Sequence, residues 1–218
     1  KKILKNAPEH IRDTEREVLN YNNALIYLDE VVKKENPVLT LALVLKIQRL
    51  VMEGLMPEFK IGALRQEPVF VNDVRTGQPL YLPPDHQDVP VLMDELMRFI
   101  SERRSNIDPL IIAGIFHKQF VIIHPFLDGN GRTTRLATKV LLAGMGLNTF
   151  NLFSFENYYN RNVSKYFQQV GLMGNYYDLQ EHMDFTMWLE YFTDGIIDEL
   201  LRVSEELAQA SGALTAEA

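Results

Sequence analysis

The sequence predicts an all-α domain carrying one β-hairpin. Apolar residues recur at helical intervals through most of the 218 residues. The ends of those periods carry helix punctuation: Asp or Asn before a first turn, Pro inside it, Gly after the last. Only residues 66–82 break the period.

In order, Thr14 to Glu17 has capping-box spacing, and Val18, Tyr21, Leu25, Leu28 and Val32 follow on one helical face. Asn36-Pro37 reads as a cap and first-turn proline, opening a helix through Leu41, Leu45, Ile47 and Val51 that stops at Gly54. Asp88 starts a third helix, with Val91, Leu92, Leu96, Phe99 and Ile100 as its apolar face. Asp108-Pro109 starts a fourth, through Ile112, Ile115, Phe116 and Phe120. Asn130-Gly131 leads into a fifth, Arg132 to Leu142, closed by Gly144 and Gly146. Later helices are expected over Asn157 to Val170 and Asp184 to Leu207. The aromatic stripe of the last (Trp188, Tyr191, Phe192) is read as core. Between helices two and three, Val69-Phe70-Val71 and Leu80-Tyr81-Leu82 flank turn residues, and Pro83-Pro84 ends the pair. A lone hairpin is not a stable unit, so it is expected to lie over the helical body as a flap. The organisation expected is an N-terminal segment, 1–13, of a longer protein, one domain, 14–207, and a fraying tail, 208–218.

Composition is that of an ordinary globular protein: 46% hydrophobic and 23% charged, with net charge −7. Nothing global favours nucleic acid or an anionic membrane. The absence of cysteine excludes disulfides and thiolate metal sites. No apolar run approaches the roughly 20 residues of a membrane span, and no signal peptide is visible, so a cytoplasmic protein is expected. The sequon Asn162-Val163-Ser164 is read as accidental. The apolar helix faces leave a homodimer open.

Residues 124–135, "HPFLDGNGRTTR", carry the densest chemistry. A hairpin turn does not suit helical flanks. A calcium loop from Asp128 fails because Arg132 and Lys139 stand where oxygen ligands are required. No Walker loop is present. An anion site at a helix N-terminus remains. Gly129 and Gly131 let backbone N–H groups turn inward, and the helix beyond adds its positive dipole end. Arg132 and Arg135 share a helix face and can both reach phosphate oxygens. Asp128 would be repelled by phosphates unless a cation lies between, which implies Mg²⁺. His124 can take a proton from an attacking hydroxyl, and Phe126 is a core peg that pins the loop. Phosphate, metal and base together describe phosphoryl or nucleotidyl transfer. His117, seven residues earlier, lacks a third ligand at suitable spacing and is read as a structural histidine.

The run resembles the Fic signature H-x-F-x-[D/E]-G-N-G-R-x-x-R at all eight defined positions. "EREVLNYNNAL", the 66–82 flap with "LPPDHQDVP", and "FHKQFVIIHPF" also look like Fic segments in the expected order. The resemblance implies a Fic helical bundle with a hairpin flap over the active site. The activity implied is transfer of AMP from ATP to a Ser, Thr or Tyr hydroxyl of a target protein. It gives His124 the role of general base and Asp128 that of Mg²⁺ ligand. Gly129, Asn130 and Gly131 form the anion hole, with the Asn130 side chain on phosphate, and Arg132 and Arg135 hold the β- and γ-phosphates. Thr133 and Thr134 contribute backbone contacts at most. Val71 and Asn72, in the flap, would align the target by strand-like pairing. Tyr166 and Phe167 are the adenine candidates, with Asn157, Tyr158 and Asn162 as rivals and ordinary helix packing as the competing reading. Intact Gly131 and Arg132 favour adenylylation over the phosphorylation of the Doc type. Self-modification, removal of AMP, and a nucleotide-holding module with little turnover stay open.

Many Fic proteins carry an inhibitory helix, [S/T]-x-x-x-E-[G/N], whose glutamate pairs with the last signature arginine, here Arg135. The Glu-Gly and Glu-Asn pairs are Glu35-Asn36, Glu53-Gly54 and Glu156-Asn157, and none has Ser or Thr four residues earlier. The inhibitory segment is therefore expected upstream of Lys1 or on an antitoxin in trans, and this chain is expected to be more active than its longer parent.

Overall fold

In a computed structural model of the chain, residues 13–34, 37–72, 77–150 and 154–216 are described. The fold is all-α with one small sheet. Its centre is α4 (Pro109–Ile123), which packs against α3 (Val89–Arg103), α5 (Asn130–Gly144) and α9 (Thr186–Ala216). Ile112, Ala113, Phe116, Phe120 and Ile123 are all buried, so α4 is apolar around its circumference, as a helix enclosed by others must be. At Gly114 a Cβ would lie 2.6 Å from Leu189. Only the missing side chain lets α9 cross that closely, and Trp188 Nε1 seals the crossing by donating to the Gly114 carbonyl at 2.8 Å. On the other side, α1 (Asp13–Lys34) and α2 (Leu41–Met52) pack on each other and on α5.

α2 begins later than its sequence signal. Thr40, not Asn36, is the cap, its hydroxyl accepting from Leu43 N at 3.2 Å. Asn36 lies outside the described residues. Leu39 is in the core, and Pro37 presents its carbonyl to Gly144 at the end of α5, so the preceding segment is held by packing and does not coil. The helix expected over 157–170 is two, α6 (Phe155–Arg161) and α7 (Val163–Val170). Asn162 divides them because its side chain accepts from Lys165 N and starts the chain afresh. α9 runs through Ala216, into the segment expected to fray.

The hairpin is present as β1 (Val71–Asn72) antiparallel to β2 (Pro79–Leu82). Asp73 to Thr76, its turn, lie outside the described residues. A third strand unseen in the sequence, β3 (Gly174–Asn175), runs parallel to β2 and leads into α8 (Tyr176–Leu179). The flap is therefore anchored from both ends of the domain. Among the described residues no helix is long and apolar enough to cross a membrane.

Candidate active site

α4 ends at His124, which takes the left-handed conformation (φ 50°, ψ 60°) and is the one non-glycine with positive φ among the described residues. Its backbone N donates to the Phe120 carbonyl, and Nδ1 lies 3.3 Å from the Val121 carbonyl. A carbonyl can only accept, so Nδ1 carries the proton of the neutral ring and Nε2 keeps the lone pair. Burial, with a contribution from Arg65, lowers the ring pKa to about 4 against the pull of Val121 and Asp128. The base expected at His124 is thus neutral at physiological pH.

The loop that follows is braced from within. Asn130 Oδ1 accepts from Phe126 N at 3.0 Å, and its Nδ2 donates to the Phe126 carbonyl at 2.8 Å. The Asn130 amide, expected on phosphate, here closes the loop on itself. Gly129 (φ 79°) caps α5 in a conformation L side chains avoid, and a Cβ there would meet Met52 Sδ at 2.8 Å. Gln48 on α2 supports the turn, donating to the Asp128 carbonyl at 3.2 Å. Thr133 and Thr134 are buried, and the Thr134 hydroxyl is taken up by the Asn130 carbonyl, whereas the Thr133 hydroxyl has no hydrogen-bond partner among the described residues.

The Asp128 side chain is 62% exposed at the loop tip, with Oδ1 accepting from Gly129 N. No cluster of three acidic or histidine side chains surrounds it among the described residues. One open carboxylate suits Mg²⁺, which keeps waters and takes its other ligands from substrate phosphates. Arg132 lies 3.7 Å from Asp128 and from Glu17. Its NH1 is buried with no hydrogen-bond partner among the described residues. An orphaned guanidinium donor beside a helix N-terminus is what a phosphate-binding site presents.

Arg135 already has an anionic partner. Its Nε donates to Glu156 Oε1 at 2.7 Å, and the Tyr21 hydroxyl donates to the same oxygen. Burial opposes both charges, yet the neighbours together outweigh it: Tyr21 and Glu156 hold Arg135 above its ordinary pKa, and Arg135 with the Tyr21 hydroxyl holds Glu156 below. Glu156 fails the inhibitory spacing searched in the sequence, but folding brings α6 against α5 and delivers the carboxylate there.

Tyr166, an expected adenine contact, is buried, its ring stacked on Tyr159 at 4.1 Å. Phe167, on the next position of α7, is half exposed. Tyr158 packs over Gly195, and Asn162 is occupied as a cap. Val71 and Asn72 lie on the flap strand, whose partner strand reaches α4 through the Tyr81 hydroxyl, 3.1 Å from the Ile122 carbonyl. His117 sits in an aromatic cage. The Thr138 hydroxyl donates to the Thr134 carbonyl, so it accepts from Nδ1 (3.1 Å), and Nε2 accepts from the Tyr166 hydroxyl (3.3 Å). The structural role expected of His117 is consistent with this closed chain.

Two neutral histidines, one buried and one half-buried, make stability pH-dependent. Burial lowers His117 far below 6.5 and takes His124 to about 4. The unfolded chain therefore binds the extra protons. Stability is full above pH ~6.5 and is lost as pH falls towards 4, by about 1.4 kcal/mol per pH unit for each histidine. The melting temperature is expected to fall by about 10 °C between pH 7 and pH 5, and a flat profile over that interval would contradict the burial.

Fold and site together define a helical bundle with a histidine-ended helix feeding a glycine-rich anion loop. Residues 38–142 match the model of the Fic/DOC family. A protein adenylyltransferase Fic from Aedes aegypti is 30% identical over 135 residues, 62% of this chain and 26% of that protein. Its Drosophila melanogaster counterpart is 32% identical over 136 residues, again 62% and 26%. Among solved structures, a Fic family protein from Desulfovibrio desulfuricans aligns with TM-score 0.66 at 24% identity, over 92% of this chain and 56% of that one. Fic-1 from C. elegans aligns with TM-score 0.66 at 20% identity, over 95% and 57%. The likeness to the Fic/DOC family therefore rests on residues 38–142, the segment that holds the loop. It spans about a quarter of the length of the curated relatives it matches.

Proposed function

We propose that this domain transfers AMP from ATP to a hydroxyl side chain of a target protein. What carries the reading is His124, held as the Nδ1–H tautomer at the mouth of an anion loop by its contact with Val121. The names of the similar adenylyltransferases support it. The hydroxyl oxygen attacks the α-phosphorus, the bond from that phosphorus to the α–β bridging oxygen breaks, and pyrophosphate leaves. Nε2 of His124 accepts the hydroxyl proton. The backbone of Gly129 to Gly131, with Arg132, holds the phosphates in line for that attack. Mg²⁺ on Asp128 would neutralise phosphate charge. The half-exposed Phe167 is the better-placed adenine shelf of the two candidates, since Tyr166 has its face covered by Tyr159. β1 offers the flap edge along which a target segment would lie.

Incubation with Mg²⁺ and ATP labelled at the α-phosphate is expected to label the chain itself or a target protein, and chelation should abolish the signal. Label arriving only from the γ-phosphate would replace adenylylation with kinase chemistry. A second reading, nucleotide held with little turnover, draws support from Glu156, which occupies Arg135. ATP binding without label from either position would favour it.

A further inference from the structure

The carbonyls at the C-terminal end of α4 include those a helix cannot satisfy by itself. Here each finds a partner. Phe120 accepts from the backbone of His124, Val121 from its ring, and Ile122 from the Tyr81 hydroxyl. The next three depend on one residue. Arg65 donates from Nε to the His124 carbonyl at 2.8 Å, from NH2 to Ile123 at 3.4 Å, and from its backbone N to Pro125 at 2.9 Å. It also donates to Glu67 at 3.3 Å and to the Pro84 carbonyl where the flap ends. Arg65 is only 3% exposed.

A guanidinium buried among carbonyls, with no carboxylate within bonding distance among the described residues, is expensive to desolvate. Such an arrangement persists where geometry requires it. The requirement here is His124, whose left-handed backbone costs about 1–2 kcal/mol for a residue with a Cβ. A cation at a helix C-terminus with donors to successive carbonyls stabilises that bend. Its charge also helps keep the imidazole neutral. The segment carrying Arg65 and the flap's exit at Pro84 are fastened to the same point, so the histidine and the flap share one anchor.

We propose that Arg65 is a positioning residue for the transfer reaction. It fixes the backbone of His124, and thereby its imidazole, relative to the anion loop and the base of the flap. This rests on His124 being the base of the reaction proposed above. Arg65 touches no reacting atom in this role.

The test combines ¹⁵N NMR of the histidine rings with kinetics of α-labelled ATP transfer, on wild type, Arg65→Gln and Arg65→Lys. In Arg65→Gln, the Nδ1–H signature of His124 is expected to give way to mixed tautomers. The kcat should fall about 100-fold, the loss typical of a misplaced catalytic group, with KM for ATP changed less than about threefold. Arg65→Lys keeps the charge but not the fork, and should recover part of kcat and of the tautomer signature. If Arg65→Gln does not fold, Arg65→Lys decides the matter by the same two readings. A folded variant with wild-type tautomer and wild-type kcat would overturn the proposal, as would a loss confined to KM. Should the wild type transfer no label, the functional reading fails, while the ring signature still decides whether Arg65 positions His124.

Discussion

His124→Ala is expected to lower AMP transfer by about 10²- to 10⁴-fold, the range for loss of a general base, while ATP binding stays within a few-fold of wild type. The separation follows from the architecture. In the proposed reaction the groups that would face the phosphates are the loop backbone, Arg132 and, once freed of Glu156, Arg135. The loop keeps its shape through Asn130 and Phe126, which do not use the imidazole. Alanine bears some strain in the left-handed backbone that His124 adopts, but Arg65 still caps the carbonyls that hold the bend. Nε2 is the lone pair that disappears. The pH profile tests the same assignment. With the ring near pKa 4, the base is in its active form throughout the neutral range. The transfer rate should be insensitive to this group above about pH 5 and fall below it as the ring is protonated. Calorimetry for ATP affinity and single-turnover labelling for rate separate the two quantities. A variant that loses ATP affinity along with rate would show that His124 holds nucleotide, and the base would have to be sought elsewhere.

What was legible in the sequence was contiguous. Loop, helix start and two arginines occupy one run, so the loop and the helix N-terminus that follows it could be read together. Asp108 announced α4 truthfully: its side chain accepts from Leu110 N. The readings that shifted are those where distant parts of the chain intervene. Asn36-Pro37 has the local form of a helix start, but Gly144 and the core claim the segment before Thr40. Tyr166 looked like an adenine shelf until Tyr159 and His117 closed over its face and hydroxyl. Asn130 looked like a phosphate ligand, and its amide turned out to be a brace. Gln48 and Arg65 carried no local signal for the site, because the loop carbonyls each one supports are brought to it by folding from about 60 to 80 residues away. A motif read along the chain cannot report those partners.

Glu156→Gln is expected to raise both ATP affinity and transfer rate at subsaturating ATP, by about 10- to 100-fold. The carboxylate now occupies the arginine that a terminal phosphate would need. A charge-assisted hydrogen bond of this kind is worth about 1.5–3 kcal/mol net, and each 1.4 kcal/mol is tenfold in affinity. Glutamine keeps the volume and can still accept from the Tyr21 hydroxyl, so the change removes the charge with little else. The competing anion comes from within the described domain. Tyr21, Arg135 and Glu156 all lie within the described domain, and nothing outside it is needed to form the pair. Acid cannot release it near neutrality, because the facing guanidinium holds Glu156 below its ordinary pKa against the effect of burial. Isothermal titration with Mg·ATP on wild type, Glu156→Gln and Arg135→Ala resolves the roles. If the glutamine variant binds more tightly and the alanine variant more weakly, Arg135 is a phosphate ligand under restraint. If neither differs from wild type, the Arg135–Glu156 pair is a structural tie between α5 and α6, and the phosphates rest on Arg132 and the loop.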